Sequence, residues 1–564
     1  MFPARRSVAS IPKRRCAVVK NTEKLLSISN LKKYFPIAKS SIFQKEQLYV
    51  RANEEITIDI HSGETFGLVG ESGCGKSTLG RTILQLYDQT AGSTMYYGRT
   101  LDDFVPQYVL NTLKNAPKMI AGYKKLFSKA EAAAKAVADA GENATFFQHQ
   151  AKNLSAAEAE TAFRNVVRVL GGFTALDNPT EGAAVLLKRY EICKKLVEIN
   201  EQIRDFDGEI AFQNALAKEL DASDETVKNA AKKAAKAREL AKKAEAKKAA
   251  LLPKKEEQEK LLKEAEVAVA AARALHAGDE KFNEYEAMLD NGIDLSRLKY
   301  TEMRILRKDI QIIFQDPYSS LNPRMTVGQI IGEGLTTHKF FKAGDPQMKE
   351  YILNIMEQCG LQGYMLHRYP HQFSGGQRQR ICIARALAVK PKFIVCDECV
   401  SALDVSIQSQ IINLLEELKE KENLTYLFIS HDLSVVRYIS DRIGVMYLGN
   451  MVELGDAETI FADPRHPYTV ALLSSIPTTD MDALKKERIL LEGNIPSPIR
   501  PPEGCKFHTR CYMACDKCKR VPPPYVEVEP GHFVACHFLD RKLDANGNYL
   551  FDRPNTEKAA KAEA

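Results

Sequence analysis

A glycine-rich stretch near the start of the chain limits what it can fold into more than any other part of the sequence. TFGLVGESGCGKSTLG, from Thr65, reads as an apolar strand, a glycine-rich loop and the start of a helix. Such loops wrap phosphate in backbone N–H groups at the positive end of a helix dipole. The order of strand, loop and helix predicts an α/β fold built around a phosphate-binding loop. The loop residues expected to contact phosphate or Mg²⁺ are Gly70, Glu71, Ser72, Gly73, Cys74, Gly75, Lys76, Ser77 and Thr78.

A second apolar strand supplies the carboxylates that a phosphate-binding loop requires. In KFIVCDE the apolar run ends directly at Asp397 and Glu398. Asp397 is predicted to hold Mg²⁺ together with Ser77, and Glu398 is predicted to polarise the attacking water. A third apolar run, YLFISHD, ends near His431. A histidine at the carboxyl end of a parallel strand lies where such sheets bind ligands, which favours a role for His431 in the same site.

A second glycine-rich loop lies much further along the chain. FSGGQRQRICIARALAVKPK places Ser374, Gly375, Gly376 and Gln377 before an amphipathic helix. This is another potential phosphate site, because the N-terminus of a helix attracts anions. One nucleotide needs only one P-loop. The second loop is therefore expected to serve the ATP of another subunit.

The composition favours a multidomain protein without membrane spans. The chain has 564 residues, of which 45% are hydrophobic, and this is enough for several domains with real cores. No window of about 18 apolar residues occurs, so no span across a bilayer is expected. The net charge of +6 is spread over 79 basic and 73 acidic residues, which gives no argument for nucleic-acid binding. Residues 1–24 are basic without a following apolar segment, so we interpret them as a disordered N-terminus.

The cysteines are concentrated in one short region. Without a secretory signal, such a cluster indicates a metal or redox site rather than a disulfide framework. Four thiolates can hold tetrahedral Zn²⁺ or an iron–sulfur cluster, and reduced, unliganded thiols are the third possibility. Composition does not separate these alternatives. The clustered residues are Cys505, Cys511, Cys515, Cys518 and Cys536, of which Cys515 and Cys518 form a C-x2-C pair.

The motifs, in this order, resemble those of ATP-binding cassette (ABC) ATPases. Gly70–Thr78 matches Walker A, Asp397 and Glu398 match Walker B and its glutamate, and His431 matches the switch histidine. IIFQDPYSSLNPRMTVG contains the Q-loop glutamine Gln315, FSGGQ matches the signature loop, and SALD is the D-loop that ends at Asp404.

The amino-acid sequences of several segments indicate a narrower family. LRKDIQIIFQDPYSSLNPRMTVG, SALDVSIQ and ADPRHPYTVALLSSIP resemble the ATPase subunits of oligopeptide/dipeptide importers, especially the second of their two paired ATPases. This resemblance covers roughly residues 25–100 and 293–540.

The resemblance implies a fold and a set of site residues. The fold is a RecA-like core with an antiparallel β subdomain and a helical signature subdomain. Glu398, His431 and Gln315 are implied to be catalytic, and Ser77, Gln315 and Asp397 to hold Mg²⁺. Phe35, or its neighbour Tyr34, is implied to stack on adenine. The signature loop and Asp404 are implied to face a partner's ATP in a sandwich dimer.

The resemblance also implies partners and a location. The partners are a sister ABC ATPase, two transmembrane permease subunits and, indirectly, an extracytoplasmic substrate-binding protein, with no nucleic acid. The location is the cytoplasmic face of the cell membrane. Peptides are the default cargo, although nickel, sugars and other solutes use similar ATPases. In this family Cys505, Cys511, Cys518 and Cys536 look like the ligands of a four-iron (4Fe–4S) cluster, with zinc the weaker alternative.

The family pattern is interrupted between YYGRTL, near Thr100, and NGIDLSRLKY, near Gly292. Residues 101–290 are therefore predicted to be a helical insertion, rich in segments such as NAAKKAAKARELAKKAEAKKAALL. It is either a tolerated surface addition, because added loop length costs little, or a docking arm for a partner or an anionic membrane. The ATPase domain is expected over 25–100 and 291–470, the extension over 471–540 and a flexible tail over 541–564.

Two other classes of ATPase are less compatible with the sequence. SMC-type DNA-handling ATPases also carry long helices within an ABC core, but between the Q-loop and the signature, whereas this insertion ends before Gln315. The helices of those proteins follow a continuous heptad repeat, whereas the insertion in this chain is interrupted by Gly and Pro residues. Translation factors with paired cassettes need two P-loops, and this sequence has one.

Overall fold

A computed structural model of the protein describes residues 23–39, 47–222, 230–342, 344–476 and 489–539. The predicted tail at 541–564 and nearly all of the predicted N-terminal segment lie outside these ranges. Lys24, the last residue of that segment, is already the first residue of a strand. No helix within these ranges is long and apolar enough to cross a membrane.

The strands of the described ranges form two sheets. In chain order they are β1 Lys24–Pro36, β2 Tyr49–His61, β3 Thr65–Val69, β4 Ala91–Tyr96, β5 Ile293–Asp294, β6 Ile310–Ile313, β7 Phe393–Asp397, β8 Thr425–Ile429, β9 Arg442–Tyr447, β10 Asn450–Asp456, β11 Val526–Glu529 and β12 His532–Val534.

The helices surround both sheets. They are α1 Lys76–Ile83, α2 Leu101–Phe104, α3 Gln107–Lys114, α4 Ala116–Ala140, α5 Phe146–Leu170, α6 Thr180–Ala222, α7 Ala230–Ala249, α8 Leu252–Ala274, α9 Glu280–Glu286, α10 Tyr300–Leu306, α11 Val327–Thr337, α12 Pro346–Gln358, α13 Gly375–Ala388, α14 Val405–Glu422, α15 Leu433–Ile439, α16 Ala457–Ala462, α17 Pro467–Ser474 and α18 Asp516–Arg520.

The larger sheet has the order β11-β12-β10-β9-β3-β8-β7-β6. The five strands from β9 to β6 are parallel, and β10, β12 and β11 extend them as an antiparallel edge. Every residue of β3, β7 and β8 is buried, as expected for strands that are covered on both faces. The carboxyl ends of these three strands lead into the Walker A loop, Glu398 and His431, so the sheet itself brings these motifs together.

The smaller sheet is antiparallel, with the order β2-β1-β4-β5. Its apolar face shares one core with β3, α1 and the end of β7, through residues such as Ile28, Ile58, Leu79 and Val395. A separate core forms under α11 to α14 and includes Ile331, Met356 and Leu415. The predicted α/β class, with antiparallel and helical subdomains, is confirmed.

The chain between β4 and β5 consists of helices α2 to α9. Tyr96 pairs with Ile293, and the N–H of Leu101 donates to the carbonyl of Asn291 over 3.1 Å. The two ends of the predicted insertion therefore lie side by side. Its helices have a core of their own, with Tyr108, Leu113, Ile120, Tyr123, Val166, Leu170, Phe173, Tyr190 and Phe282 among the buried residues.

Helix α7 is the alanine–lysine segment that stood out in the sequence. Its buried residues are Ala234, Ala237, Ala241 and Ala244, which recur at helical spacing and form a thin apolar face. This face packs on α6, and α8 packs on α6 through Ala265 beside Ile192 and Leu196. The charged side of α7 is exposed, and besides the buried alanines two exposed ion pairs join α7 to α6, Arg238 with Asp221 and Lys248 with Asp207.

The cysteine-rich segment attaches to the edge of the larger sheet. Strand β12 pairs with β10, with Val534 opposite Glu453, and β11 pairs with β12. The predicted boundary between residues 470 and 471 falls within α17, because this helix is continuous from Pro467 to Ser474. Tyr468 of α17 packs on Phe507, so the segment and the ATPase domain share one core.

Candidate functional site

The Walker A loop has a backbone that only glycine suits at two of its positions. Gly75, with φ of 104°, precedes α1, and a Cβ there would lie 2.2 Å from the carbonyl oxygen of Ala52. Gly70 has φ of 149°, and a Cβ there would lie 2.2 Å from the carbonyl oxygen of Met446. Other backbone therefore approaches the loop closely on its inner side, which leaves its outer side facing the nucleotide cavity.

Lys76 is folded back onto this loop. Its Nζ donates to the carbonyl oxygens of Gly70 at 2.7 Å and Glu71 at 3.1 Å, and only 4% of the residue is exposed. A buried ammonium needs such partners because desolvation of a charge is costly. Lys76 is also one of the residues that line the cavity in front of the loop.

A cavity of about 440 Å³ lies in front of the loop. Its walls come from the Walker A loop, β1, β2, the Q-loop, Glu398, the turn after β9 and the segment around Pro498. The Walker A residues that line it are Ser72, Gly73, Gly75, Lys76, Ser77 and Thr78. Glu71 instead pairs with Arg510, and the Cys74 thiol packs into the core, where burial raises its pKa.

The two adjacent aromatics of β1 point to opposite sides of the strand. Phe35 lines the cavity, with its ring edge-on to Tyr87 at 5.4 Å between centroids. Tyr34 is 4% exposed, and its hydroxyl donates to Glu54. Because successive side chains of a strand alternate, only one of the pair can face a base. The geometry favours Phe35 as the adenine-stacking residue.

Asp397 is fully buried at the end of β7. Its Oδ2 accepts a hydrogen bond from Nη2 of Arg81 at 3.1 Å, whereas its Oδ1 is buried without a hydrogen-bond partner. An unpartnered carboxylate oxygen next to a P-loop fits the oxygen-based coordination that Mg²⁺ prefers. Arg81 was not predicted from the sequence. It lies one helical turn after Ser77, on the same face of α1, and that spacing was the available signal.

Three of the predicted catalytic side chains meet at one point. Nε2 of Gln315 donates to Oε2 of Glu398 at 2.7 Å, and Nδ1 of His431 lies 3.6 Å from the same oxygen. Glu398 has φ of 49°, a left-handed conformation that costs free energy in a non-glycine residue. Its N–H donates to the carbonyl of Ile429, which holds this conformation. The carboxylate therefore faces the cavity, while Asp397 beside it in sequence faces α1.

The signature loop lies apart from this cavity. Ser374 caps α13: its hydroxyl accepts from the N–H of Gln377, and the side chain of Gln377 accepts from the N–H of Ser374. Ser374 and Gly375 are exposed, and a Cβ at Gly376 would collide with Ile407 of α14. Asp404 caps α14 in the same way, through the N–H of Ile407. Neither loop lines the cavity in front of Walker A.

The cysteine-rich segment folds beside the Walker A loop. Cys518 and Cys536 are buried, and burial together with the neighbouring thiols raises the pKa of Cys505 to about 11 and of Cys511 to about 12. The Sγ atoms of Cys515 and Cys518 are 3.5 Å apart. In the described ranges, no group of three or more His, Cys, Asp or Glu side chains is arranged to hold a metal ion. The predicted ligands are thus neighbours without a coordination geometry.

The family model described as "ABC transporter" matches residues 53–275 and 276–401. The chain belongs to the ABC transporter family. A second model, the C-terminal region of oligopeptide/dipeptide transporters, matches residues 452–518 of this ABC ATPase.

Among curated relatives, the oligopeptide transport ATP-binding protein AppF of Bacillus subtilis (strain 168) is 54% identical over 252 residues, which are 44% of this chain and 76% of that protein. The oligopeptide transport ATP-binding protein OppF of Haemophilus influenzae is 50% identical over 246 residues, 43% of this chain and 74% of that protein. Among solved structures, cbiO1 of Clostridium perfringens, part of the ABC transporter complex cbiONQ, aligns over 78% of this chain and 92% of its own with 14% identity and a TM-score of 0.38.

The family models and the curated relatives confirm both the ABC ATPase that the motif order predicts and the importer subunit that the segment resemblances imply. The ABC ATPase uses ATP with Mg²⁺, and an ATPase of this family works with membrane permease subunits. The DNA-handling alternative is not supported, because residues 452–518, which begin within β10, match a transporter model.

Proposed function

We propose that this ABC ATPase energises the import of oligopeptides or dipeptides, as half of a nucleotide sandwich with a sister ATPase. The cargo is inferred from the names of the relatives and from the oligopeptide/dipeptide match over residues 452–518. The hydrolytic role of the site is carried by one observation: Gln315, Glu398 and His431 converge at the cavity lined by Lys76 and Ser77.

Nucleotide binding begins at the Walker A loop and β1. The backbone N–H groups of the loop and the positive end of α1 attract the phosphates, and Lys76 exchanges its two carbonyl partners for β- and γ-phosphate oxygens. The ring of Phe35 stacks on adenine. Ser77, Asp397 and Gln315 would hold Mg²⁺, and the ion would supply positive charge to neutralise the phosphates during transfer.

Hydrolysis depends on Glu398. Its carboxylate accepts a proton from the attacking water, and His431 on the same side of the cavity orients that carboxylate and the γ-phosphate. The side-chain NH2 of Gln315 donates to Glu398, and its amide oxygen would be the atom offered to Mg²⁺.

The signature loop serves the other nucleotide of the pair. Ser374, Gly375, Gly376 and Gln377 form a capped helix N-terminus away from this chain's own cavity, with Ser374 and Gly375 exposed. Asp404 caps the adjoining α14. A helix N-terminus of this kind suits the γ-phosphate of an ATP held by a facing subunit.

Co-purification tests the assembly. We propose that this chain lies at the cytoplasmic face of the cell membrane. Affinity purification of the tagged full-length chain from native membranes is expected to recover a sister ATPase and two transmembrane permease subunits, with an extracytoplasmic binding protein as a weaker companion. Recovery of the chain alone, or with DNA, contradicts the proposal.

A transport assay tests the cargo. The purified complex, reconstituted with its binding protein in vesicles, is expected to accumulate labelled short peptides when ATP is supplied. Nickel and a labelled sugar serve as matched controls. Accumulation of either control without peptide uptake shows that the cargo assignment is wrong while leaving the ATPase assignment intact.

We also propose that Cys505, Cys511, Cys518 and Cys536 bind a 4Fe–4S cluster. Their thiols lie in one folded segment, where burial and neighbouring thiols raise the pKa of Cys505, Cys511 and Cys518. Four thiolates are a suitable donor set for such a cluster. Iron and acid-labile sulfide analysis of the anaerobically purified chain tests this proposal, with Cys511→Ser expected to lose both and Cys193→Ser, in the insertion, to lose neither. Zinc without sulfide contradicts the cluster.

A further inference from the structure

The cysteine-rich segment reaches the Walker A loop through one side chain. Arg510, which precedes Cys511, donates from Nη1 to Oε2 of Glu71 at 2.7 Å and from Nη2 to Oε1 at 3.0 Å. The arginine side chain is 6% exposed and the glutamate side chain 25% exposed. A bidentate guanidinium–carboxylate pair of this kind fixes both distance and orientation. Two segments more than 400 residues apart in sequence are thereby joined at the nucleotide loop.

The backbone of Glu71 is held by the same part of the protein. Its N–H donates to the hydroxyl of Tyr468 at 2.8 Å. The ring of Tyr468 packs on Phe507, three residues before Arg510, at 5.3 Å between centroids, and Phe507 is 1% exposed. Glu71 is therefore clamped at both its main chain and its side chain by α17 and the cysteine-rich segment.

We propose that Arg510 is a positioning residue for the Walker A loop, which neutralises and fixes Glu71 so that the loop accepts MgATP. Without the guanidinium, the Glu71 carboxylate adds a negative charge close to the site of the triphosphate, and Glu71 keeps only its main-chain bond to Tyr468 of the two attachments described above. Both effects weaken binding of a polyanion. The inference rests on the nucleotide site proposed above, and it assigns to the cysteine-rich segment a direct influence on nucleotide affinity.

The first measurement is the affinity of the full-length chain for a fluorescent ATP analogue with Mg²⁺. Arg510→Ala is expected to weaken binding about tenfold, which corresponds to about 1.4 kcal/mol. Arg510→Lys keeps the charge without the bidentate fork and is expected to recover part of the loss. Lys519→Ala removes an exposed lysine of the same segment that pairs with the nearby Asp516. It serves as the matched control and is expected to bind as wild type.

The decisive measurement combines Arg510→Ala with Glu71→Gln. If Arg510 acts through the charge of Glu71, its removal changes affinity little once that charge is gone. An equal loss in both backgrounds shows that Arg510 only supports the fold of its segment and overturns the proposal. An unchanged affinity of Arg510→Ala overturns it as well.

Two further readouts keep the result interpretable. Lys76→Ala is expected to abolish binding, and if it binds normally the nucleotide site itself is misplaced, which is a separate failure. If Arg510→Ala does not fold, Arg510→Lys is compared with wild type by hydrogen–deuterium exchange of the peptide containing residues 70–75. Faster exchange there supports the proposal, and identical exchange contradicts it.

Discussion

Two glycines of the Walker A loop share a left-handed backbone but have different surroundings. Gly75, with φ of 104°, faces the Ala52 carbonyl so closely that a Cβ would approach to 2.2 Å. Gly73, with φ of 82°, has nothing within 4 Å of the place where a Cβ would be. The two positions therefore separate the cost of a positive φ from the cost of a collision.

Alanine at each position makes this difference measurable. Gly73→Ala is expected to reduce the free energy of unfolding by about 1 kcal/mol, the cost of left-handed backbone in an L-residue. Gly75→Ala carries the same backbone cost and also forces β2 to move away from the new Cβ. It is expected to reduce the free energy of unfolding by about 2–4 kcal/mol. Urea unfolding without nucleotide measures both. Equal losses contradict the close approach of Ala52 to the loop.

Glu398 offers the sharpest chemical prediction. Glu398→Gln keeps the shape and the contact with Gln315 but removes the base, so hydrolysis in the assembled complex is expected to fall about 100- to 10,000-fold while ATP still binds. Glu420→Gln, at an exposed position of α14, is the matched control. Wild-type turnover by the Glu398 variant, measured as phosphate release, refutes the role assigned here.

The sequence predicts some residue-level contacts and misses others for a physical reason. Asp397, Glu398 and His431 follow apolar runs, and parallel strands bring their carboxyl ends together, so their proximity follows from local pattern. The pairing of Arg510 with Glu71 has no local signal, because it depends on how a distant segment docks. The choice between Phe35 and Tyr34 likewise depended on which face of β1 the fold buries.

Among the helices, α6 shows how neighbours decide the effect of the same substitution. Gly208 is exposed, and nothing lies within 4 Å of the place where its Cβ would be, whereas a Cβ at Gly182 would lie 2.2 Å from the ring of Phe173. Gly208→Ala is expected to stabilise the protein by about 0.5–1 kcal/mol, since glycine is a poor helix former. Gly182→Ala is expected to destabilise it by about 1–3 kcal/mol.

Urea unfolding followed by circular dichroism compares the two variants. The opposite signs are the essential result, because helix propensity alone predicts stabilisation at both positions. Destabilisation by Gly208→Ala of the size expected at Gly182 contradicts the described exposure of this part of α6.

For the helical insertion, helix propensity predicts the helices themselves but not how they dock onto the rest of the protein. Alanine, lysine and glutamate predict helices, and alanines at helical spacing predict the narrow buried face of α7. The docking of α6 against the signature subdomain was not predictable, since it rests on exposed pairs such as Lys339 with Asp205, and Lys342 with Glu209. Single surface charges carry little information about their partners.

For the whole molecule, we predict that the insertion is dispensable for ATP hydrolysis. Replacement of residues 101–290 by a short Gly/Ser linker is expected to give a folded chain that binds ATP and hydrolyses it with its partners, because every predicted catalytic motif lies outside this range. Circular dichroism, nucleotide binding and phosphate release test this in turn.

A contact between the nucleotide cavity and the insertion would explain the opposite result, in which the linker variant loses hydrolysis. Arg51, which lines the nucleotide cavity, lies 3.4 Å from Oε1 of Gln150 and has its guanidinium 5.1 Å from the Phe146 ring centroid, both on α5. A linker variant that folds but no longer hydrolyses ATP would indicate that the insertion is coupled to the catalytic cycle. Gln150→Ala then separates this contact from the rest of the module.

The pairing of β4 with β5 has a practical consequence for protein engineering. Tyr96 and Ile293 face each other across an antiparallel pair, so the chain leaves and re-enters the ATPase about 5 Å apart. The chain already accommodates a helical module of almost 200 residues between these two strands. A fluorescent protein whose termini lie close together could be inserted between the same two strands. Its fluorescence would then report on the adjacent nucleotide-binding domain, so this position is a suitable insertion site for a biosensor.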